Sequence, residues 1–231
     1  MTPRRHNSRG RRANQQAMAV LDELRSHLQR VAPATSGRLT ASEFLLSGAA
    51  AGLFGWGGTQ AIAWSDRAVG ALLATALWVV LIGGFIGLTV LHAPDSVRFS
   101  DAMLAWGTVN TTAMALTVGG LLGVVPGQLA FWHAWVASTT VGYCWTGGVL
   151  EGAGQPARGR GYLGAGVVGL GLLTVGAVAY PLVTPAGYLA LAALHALPMV
   201  LDVRTALPAV HRTGVVGVAV AAVLVAGVIV A

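Results

Sequence analysis

Charged side chains are scarce in this sequence. Only 10% of its 231 residues are charged and 55% are hydrophobic, whereas soluble domains carry about 25% charged residues. The mean hydropathy is +0.69. A water-soluble domain of this length would need many more charges to cover its surface, so the composition predicts an integral membrane protein whose main solvent is lipid.

Lysine is absent, because all fourteen basic residues are arginine. This excludes a covalent retinal protein, which needs a lysine Schiff base, and a phosphate-binding loop that ends in lysine. Arginine codons are GC-rich and lysine codons are not, so the bias indicates a GC-rich prokaryotic genome. We therefore expect the plasma membrane of a prokaryote as the location.

Cysteine is nearly absent as well, with Cys144 alone in the chain. A single thiol excludes an intrachain disulfide, a thiol-redox pair and a multi-cysteine metal site, and Cys144 is expected to be a small apolar residue within a helix. The sequence also lacks the Gly-x-Ser-x-Gly and His-Glu-x-x-His motifs of hydrolases and metalloproteases. It therefore predicts no catalytic residue and no metal site, which favours a function other than catalysis.

Long uncharged segments make up most of the chain. A helix needs about 20 residues to cross a bilayer, and two of the segments are long enough to cross twice, with the turn signals Pro126-Gly127 in one and Pro185-Ala186-Gly187 in the other. The predicted fold class is therefore all-α, a polytopic bundle of about seven transmembrane helices. The five uncharged segments are residues 44–65, 68–94, 102–150, 161–201 and 213–231.

The arginines predict the orientation of these helices, since cytoplasmic loops carry an excess of basic residues. With the N-terminus in the cytoplasm, thirteen of the fourteen arginines fall on the cytoplasmic side and only Arg67 falls outside. The C-terminus then lies outside. The chain divides into a basic cytoplasmic tail, residues 1–39, and a seven-helix transmembrane bundle, residues 40–231.

The tail is expected to contain an amphipathic helix over residues 13–31, where apolar residues recur at helical spacing. We expect it to bind anionic lipid headgroups of the cytoplasmic leaflet, with a short dimerising coiled coil as the alternative. Nucleic acid is not expected as a partner, because no aromatic residue is interleaved with the arginines to stack on bases. Thr40 and Glu43 match a capping box that would begin the first spanning helix.

Glycine is abundant, with 32 in the chain, which is about twice the average share. Small residues four apart let membrane helices approach closely. This spacing predicts a tight bundle and leaves open a homo-oligomer or a larger membrane complex. It occurs at Gly48 and Gly52, Gly83 and Gly87, Ala115 to Gly123, Gly161 to Gly169, and Gly217 and Ala221.

Few polar side chains lie inside the predicted spans, and most of them fall in the centre or the outer half of the bilayer. Asn110, His133, Tyr143 and His195 are the most prominent. Polar groups at that depth face the interior of a bundle, so we predict that these four converge on one ligand-binding site. Because deep charges are absent and the loops are short, the first hypothesis is a small uncharged ligand, or a membrane partner, bound in the outer half.

Two other functions are open for the same residues. His133 and His195 are expected about 9 and about 14 Å below the outer boundary, where they could be the axial ligands of a b-type haem in an electron-transfer protein. Alternatively, each is a neutral buried histidine hydrogen-bonded to a neighbouring helix. The polar residues could also line the path of a facilitator-type transporter, since the spans lack the charged group usual in ion-coupled carriers.

Overall fold

The computed structural model describes residues 39–65, 68–204 and 207–230, together with Glu23 and Ser26. Within these ranges the secondary structure is helical and contains no β-strand, which confirms the predicted all-α class. The amphipathic helix expected over residues 13–31 lies, apart from Glu23 and Ser26, outside the described residues and stays a prediction.

Seven helices of 18 residues or more dominate the described part of the chain. The turn signals Pro126-Gly127 and Pro185 lie between long helices, as predicted. A π-helical turn, Leu129–His133, precedes the fourth long helix, and two short helical turns are Asp95–Arg98 and Tyr180–Val183. The long helices are α1 (Ala41–Trp64), α2 (Gly70–His92), α3 (Asp101–Leu121), α4 (Ala134–Gly152), α5 (Pro156–Val178), α6 (Gly187–Arg204) and α7 (Ala209–Val230).

Four of these helices, α2, α5, α6 and α7, are long and apolar enough to cross a membrane. Large apolar side chains stand exposed on the outside of α2 and α7, among them Val80, Ile86, Val218 and Ile229. Monomeric soluble proteins rarely expose large apolar patches. Four apolar helices with such exposed flanks are compatible with a membrane protein. The other long helices of the described ranges, α1, α3 and α4, do not reach this hydropathy.

Successive long helices run antiparallel, so the chain turns alternately at the two ends of the bundle. Leu39 before α1 donates a backbone hydrogen bond to His92 at the end of α2, and Gln60 near the end of α1 accepts one from Tyr188 at the start of α6. Every described arginine lies at one end, which we call the arginine end; the other is the opposite end. These residues are Arg98, Arg158, Arg160, Arg204 and Arg212.

The first helix begins with the capping box that the sequence predicts. Thr40 Oγ1 accepts the backbone N–H of Glu43 at 3.2 Å, and Glu43 Oε2 accepts the backbone N–H of Thr40 at 2.8 Å. Two backbone N–H groups that lack a partner within the helix are thereby satisfied. Helix α3 begins in a similar way, because the Ser100 hydroxyl accepts the backbone N–H of Met103 at 3.2 Å.

Close packing is strongest between α4 and its neighbours α3 and α5, and between α1 and α6. Glycines at these interfaces leave no room for a side chain. A methyl group on Gly52 would lie 2.0 Å from His195 Cδ2, and one on Gly169 would lie 2.3 Å from a threonine hydroxyl of α4. Methyl groups on Gly83 and Gly87 would instead meet open space. Tight packing at the predicted glycine pairs is therefore correct for α1 and α5 and wrong for α2.

Candidate functional site

The four polar residues predicted to converge are distributed over three places. Asn110 lies on α3, and its Oδ1 accepts the hydroxyl proton of Ser138 on α4 at 3.1 Å. Polar bonds of this kind join neighbouring helices in membrane proteins. The role that the structure indicates for Asn110 is thus to hold α3 against α4.

Tyr143 and His195 are the pair that the structure brings together. The fully buried Tyr143 hydroxyl on α4 donates a hydrogen bond to the backbone carbonyl of His195 on α6. The Tyr143 ring also contacts Trp106 of α3 at a centroid distance of 5.2 Å and Tyr162 of α5 at 5.7 Å. The contact therefore ties α4 to α6 in the interior of the bundle.

The His195 imidazole fills a narrow space between α1 and α3. It lies directly against Gly52 and meets the Trp106 ring edge-on at 5.7 Å. Its Nδ1 is buried and has no hydrogen-bond partner. The His195 carbonyl accepts the hydrogen bond of Tyr143, and the imidazole has its own hydrogen bond with the backbone of Gly48 on α1, which is the interhelical bond expected for a buried histidine.

His133 lies elsewhere, towards the opposite end of the bundle. Its Nδ1 is 3.1 Å from the Gln128 carbonyl oxygen, and its ring stacks on Tyr180 at 6.3 Å. Ten residues of helix, about 15 Å of rise, separate His133 from Tyr143, which touches His195. Two axial ligands must face each other across one haem plane, and this structure does not place His133 and His195 in that way.

A cavity of about 330 Å³ lies at the opposite end of the bundle, among α1, α2, α3, α4 and α6. It is partly open and reaches the end of α1 and the start of α2, where Ala63 and Gly70 line it. None of the described residues that line it is charged. Six of its sixteen lining residues are aromatic: Trp56, Trp78, Phe131, Trp135, Tyr180 and Tyr188.

Trp56 of α1 stands at the centre of this aromatic wall. Its ring centroid lies 4.4 Å from Trp78 of α2, 5.4 Å from Trp135 of α4 and 6.1 Å from Tyr188 of α6, to which it is parallel. Trp78 and Trp135 are 5.5 Å apart. Such pairs contribute about 0.5–1.5 kcal/mol each beyond the area they bury, so the rings hold four helices together beside the cavity.

Threonines orient two of these indole rings. The Nε1–H of Trp78 donates to Thr59 Oγ1 at 3.1 Å, and that of Trp135 donates to Thr117 Oγ1 at 2.8 Å. Each threonine donates its own proton to a backbone carbonyl one turn earlier in its helix. The indole N–H and the threonine O–H of both Trp–Thr pairs therefore donate to acceptors within the protein. The Nε1–H of Trp56 is buried and has no acceptor.

Gln60 positions the Tyr188 side of the cavity by joining α1 to the start of α6. This fully buried side chain accepts the backbone N–H of Tyr188 at 3.0 Å and donates to the Pro185 carbonyl at 3.3 Å. Trp64 donates to the same carbonyl at 2.8 Å. The Tyr188 hydroxyl donates in turn to the Phe131 carbonyl at 3.1 Å. The position of the Tyr188 ring is thus determined at both of its ends.

A charged cluster closes the arginine end, far from the cavity. The Asp202 carboxylate, with a side chain only 2% exposed, pairs with Arg158 at 2.5 Å and with Arg212 at 3.1 Å. It also accepts the hydroxyl proton of Tyr162 at 3.1 Å. One carboxylate therefore links α5, α6 and α7, and its charge is compensated within the protein.

No sequence motif predicts the aromatic wall, because its residues come from separate segments. The one pattern that could have indicated it is the depth of the aromatic residues along their helices. Trp56 lies eight residues before the end of α1 and Trp78 eight residues after the start of α2, so the two rings lie at about the same level, roughly 12 Å from the helix ends. A search for aromatic residues at equal depth would have paired them.

No family model matches this sequence, and neither a curated protein nor a solved structure matches it.

Proposed function

We propose that this chain is a multi-pass protein of a prokaryotic plasma membrane, in which all seven long helices cross the bilayer. The arginine end then faces the cytoplasm, as the excess of basic residues on that side of membrane proteins requires, and the C-terminus lies outside. The less apolar helices α3 and α4 satisfy polar groups on each other, with Trp106 donating to Thr146 at 3.0 Å and Ser138 to Asn110. Such pairing supports their placement within a bilayer.

We infer that the protein binds a small organic ligand in the aromatic-lined cavity, which on this orientation lies in the outer half of the bundle. The single observation that carries this proposal is the cavity itself. Its volume of about 330 Å³ falls within the range of about 300–1,000 Å³ typical of ligand sites, and its wall is mainly apolar and aromatic, as the walls of such sites are.

Binding fits the cavity better than catalysis does. Its hydroxyl groups include those of Thr59, Thr117 and Tyr188, and each of these already donates a hydrogen bond to a backbone carbonyl. A nucleophilic hydroxyl needs a neighbouring base to take its proton, and no described lining residue can serve as one. The cavity therefore offers shape and ring surface and lacks reactive groups.

The experiment that tests the proposal is a thermal-unfolding screen of the protein in lipid nanodiscs with a panel of small organic compounds. A ligand at 100 times its Kd stabilises the folded state by about 2.7 kcal/mol, which raises Tm. Ala74 lines the cavity, so Ala74→Phe should fill it and abolish the shift. Ala76 is exposed on the same helix, so Ala76→Phe is the matched control and should keep the shift.

Two results would count against this site. One is that no compound of the panel raises the Tm of the wild-type protein. The other is that the compounds which do raise it act equally on Ala74→Phe and on Ala76→Phe, because the binding would then take place elsewhere.

Facilitated transport is a second candidate function. The cavity is partly open and lies at one end of the bundle, whereas the Tyr143–His195 contact and the Asp202 cluster lie towards the other end. This is the form that the outward-open state of a carrier takes, with rocking about a central site. Flux of a ligand from the screen into proteoliposomes, unaffected by ion gradients, would establish transport; binding without flux would exclude it.

A further inference from the structure

We propose that the cavity selects small organic cations whose charge is surrounded by alkyl groups, that is, substituted ammonium ions. This inference rests on the proposed ligand site and names the class of ligand. It follows from two properties of the wall: which ring surfaces it contains, and where its polar protons are directed.

The rings supply the attraction. The face of an aromatic ring carries partial negative charge, and a cation within about 6 Å of a ring centroid is attracted to it, most strongly by tryptophan. Four of the lining residues that carry such rings are Trp56, Trp78, Trp135 and Tyr188. The centroids of the Trp56 ring and of the other three rings are 4.4 to 6.1 Å apart, and those of Trp78 and Trp135 are 5.5 Å apart. A ligand in the cavity therefore meets several such rings together.

The hydrogen bonds disfavour an anion. The indole protons of Trp78 and Trp135 are donated to threonine oxygens. The hydroxyl protons of Thr75 and Tyr188 are donated to backbone carbonyls. These four groups leave oxygen lone pairs and ring faces for a ligand, both of which are negative, whereas the Nε1–H of Trp56 still lacks an acceptor. No described lining residue is basic, so a carboxylate or phosphate would exchange its hydration for few donors and no counter-charge, which is costly.

The missing counter-charge determines which cations fit. No described lining residue is acidic, so a bound cation forms no ion pair that would offset its desolvation. A compact, strongly hydrated ammonium group is therefore disfavoured. An ammonium nitrogen surrounded by methyl groups is weakly hydrated and presents apolar surface to the rings, as in the aromatic cages that recognise quaternary ammonium ligands.

The test compares two probes of nearly equal shape by titration calorimetry on the nanodisc-embedded protein. Choline carries a trimethylammonium group, and 3,3-dimethylbutan-1-ol is its neutral carbon analogue. We expect choline to bind about tenfold more tightly than the alcohol, and 3,3-dimethylbutanoate to show no binding. Choline should not bind to Ala74→Phe and should bind normally to Ala76→Phe.

A second measurement separates cation recognition from packing. Replacing all tryptophans biosynthetically by 5-fluorotryptophan withdraws charge from the ring faces and changes their shape very little. Choline affinity should fall by about twofold or more, while the affinity of the neutral alcohol should stay unchanged. A general structural disturbance would lower both.

The outcomes distinguish this inference from the proposed site. If the alcohol binds as well as choline or better, and Ala74→Phe abolishes its binding, the ligand is the uncharged one expected from the sequence and the cation proposal is wrong. If neither probe binds while other compounds still give a cavity-dependent shift, the cation proposal is again wrong and the site stands. If nothing in the panel binds, both proposals fail.

Discussion

Thr117 shows how a single hydroxyl can orient a ring that lines the cavity. Its Oγ1 accepts the Nε1–H of Trp135 at 2.8 Å and shares its single proton between the backbone carbonyls of Ala113 and Ala130, at 2.9 and 3.1 Å. It therefore joins α3, α4 and the π-helical turn through one buried oxygen. Without it, the Trp135 N–H would be left buried and unpaired.

We expect Thr117→Val to destabilise the protein by about 1–2 kcal/mol, since an unpaired buried donor costs about that much and hydrogen bonds between membrane helices are of similar strength. Denaturant unfolding of the purified protein measures this loss. Thr111→Val on the same helix is the control, because Thr111 is exposed and its hydroxyl bonds only to the Gly107 carbonyl of its own helix. Equal losses for the two variants would contradict the role given to Thr117.

Gly52 is the residue that allows α1 to lie against His195. A methyl group there would stand 2.0 Å from His195 Cδ2, whereas one on Gly57 of the same helix would meet nothing within 4 Å. Overpacking a tight interior costs about 1–3 kcal/mol. We therefore expect Gly52→Ala to unfold at lower denaturant concentration than wild type, and Gly57→Ala to unfold at the same or higher concentration.

Gly52→Ala can also be examined in the background of His195→Ala, which removes the clashing ring. The loss caused by the glycine substitution should then largely disappear, because residues in direct contact show non-additive effects. Full additivity of the two substitutions would mean that Gly52 acts through the helix backbone and not through contact with the imidazole.

At the scale of helices, the Asp202 cluster determines how three of them meet. Asp202 lies in the last turn of α6, and its side chain is 2% exposed, while those of Arg158 on α5 and Arg212 on α7 are 42% and 14% exposed. Removing one partner of a buried ion pair costs about 3–5 kcal/mol because the other charge is left uncompensated. Solvent near Arg158 reduces this value.

We expect Asp202→Asn to lower the free energy of unfolding by about 3 kcal/mol and to expose the α6–α7 hairpin to limited proteolysis. Glu151→Gln is the control. Glu151 is an exposed carboxylate at the same end of the bundle, so the loss should stay below about 1 kcal/mol. A loss as small for Asp202→Asn would show that packing alone joins these helices.

The sequence predicts elements better than it predicts the contacts between them. The uncharged segments, the turns at Pro126 and Pro185 and the Thr40 capping box are local properties, and the structure contains the corresponding helices, turns and cap. The π-helical turn Leu129–His133 leaves no pattern in the residues. It also rotates the following helix relative to a continuous α-helix, which a count along an ideal helix cannot anticipate.

The predicted convergence of Asn110, His133, Tyr143 and His195 shows the same limit. Depth along a helix can be counted from the sequence, but that count places His195 near the level of His133, whereas the structure brings His195 to Tyr143. Rotation about the helix axis and the choice of neighbouring helix cannot be counted. Asn110 consequently bonds to Ser138, and His133 stacks on Tyr180. Polar residues satisfy one another in nearby pairs, and the cavity forms where aromatic rings from four helices meet.

At the scale of the whole molecule, the two ends of the bundle have different chemistry. The arginine end holds the described basic residues and the buried Asp202 cluster, whereas the opposite end holds an uncharged, aromatic cavity. On the proposed orientation the cavity takes its ligand from outside the cell. The function proposed for the cavity therefore depends on the topology, which can be measured directly.

The topology prediction uses the fact that Cys144 is the only cysteine. After Cys144→Ser removes it, a single new thiol can be placed at Gln155, which is exposed between α4 and α5 at the arginine end, or at Val124, which is 76% exposed between α3 and α4 at the opposite end. We expect a membrane-impermeant maleimide to label Val124→Cys on intact cells, because that loop faces outward on the proposed orientation. Gln155→Cys should be labelled only after the cells are permeabilised.

The same experiment tests whether α4 crosses the membrane, since these two positions lie at its two ends. Labelling of both thiols on intact cells would mean that α4 does not span, and the seven-crossing bundle would then be wrong although its helices are present. Labelling of Gln155→Cys alone would mean that the orientation is reversed and that the cavity lies on the cytoplasmic side. The basic residues would then face outward, against the usual bias. Only labelling of Val124→Cys alone agrees with a cavity that receives its ligand from outside.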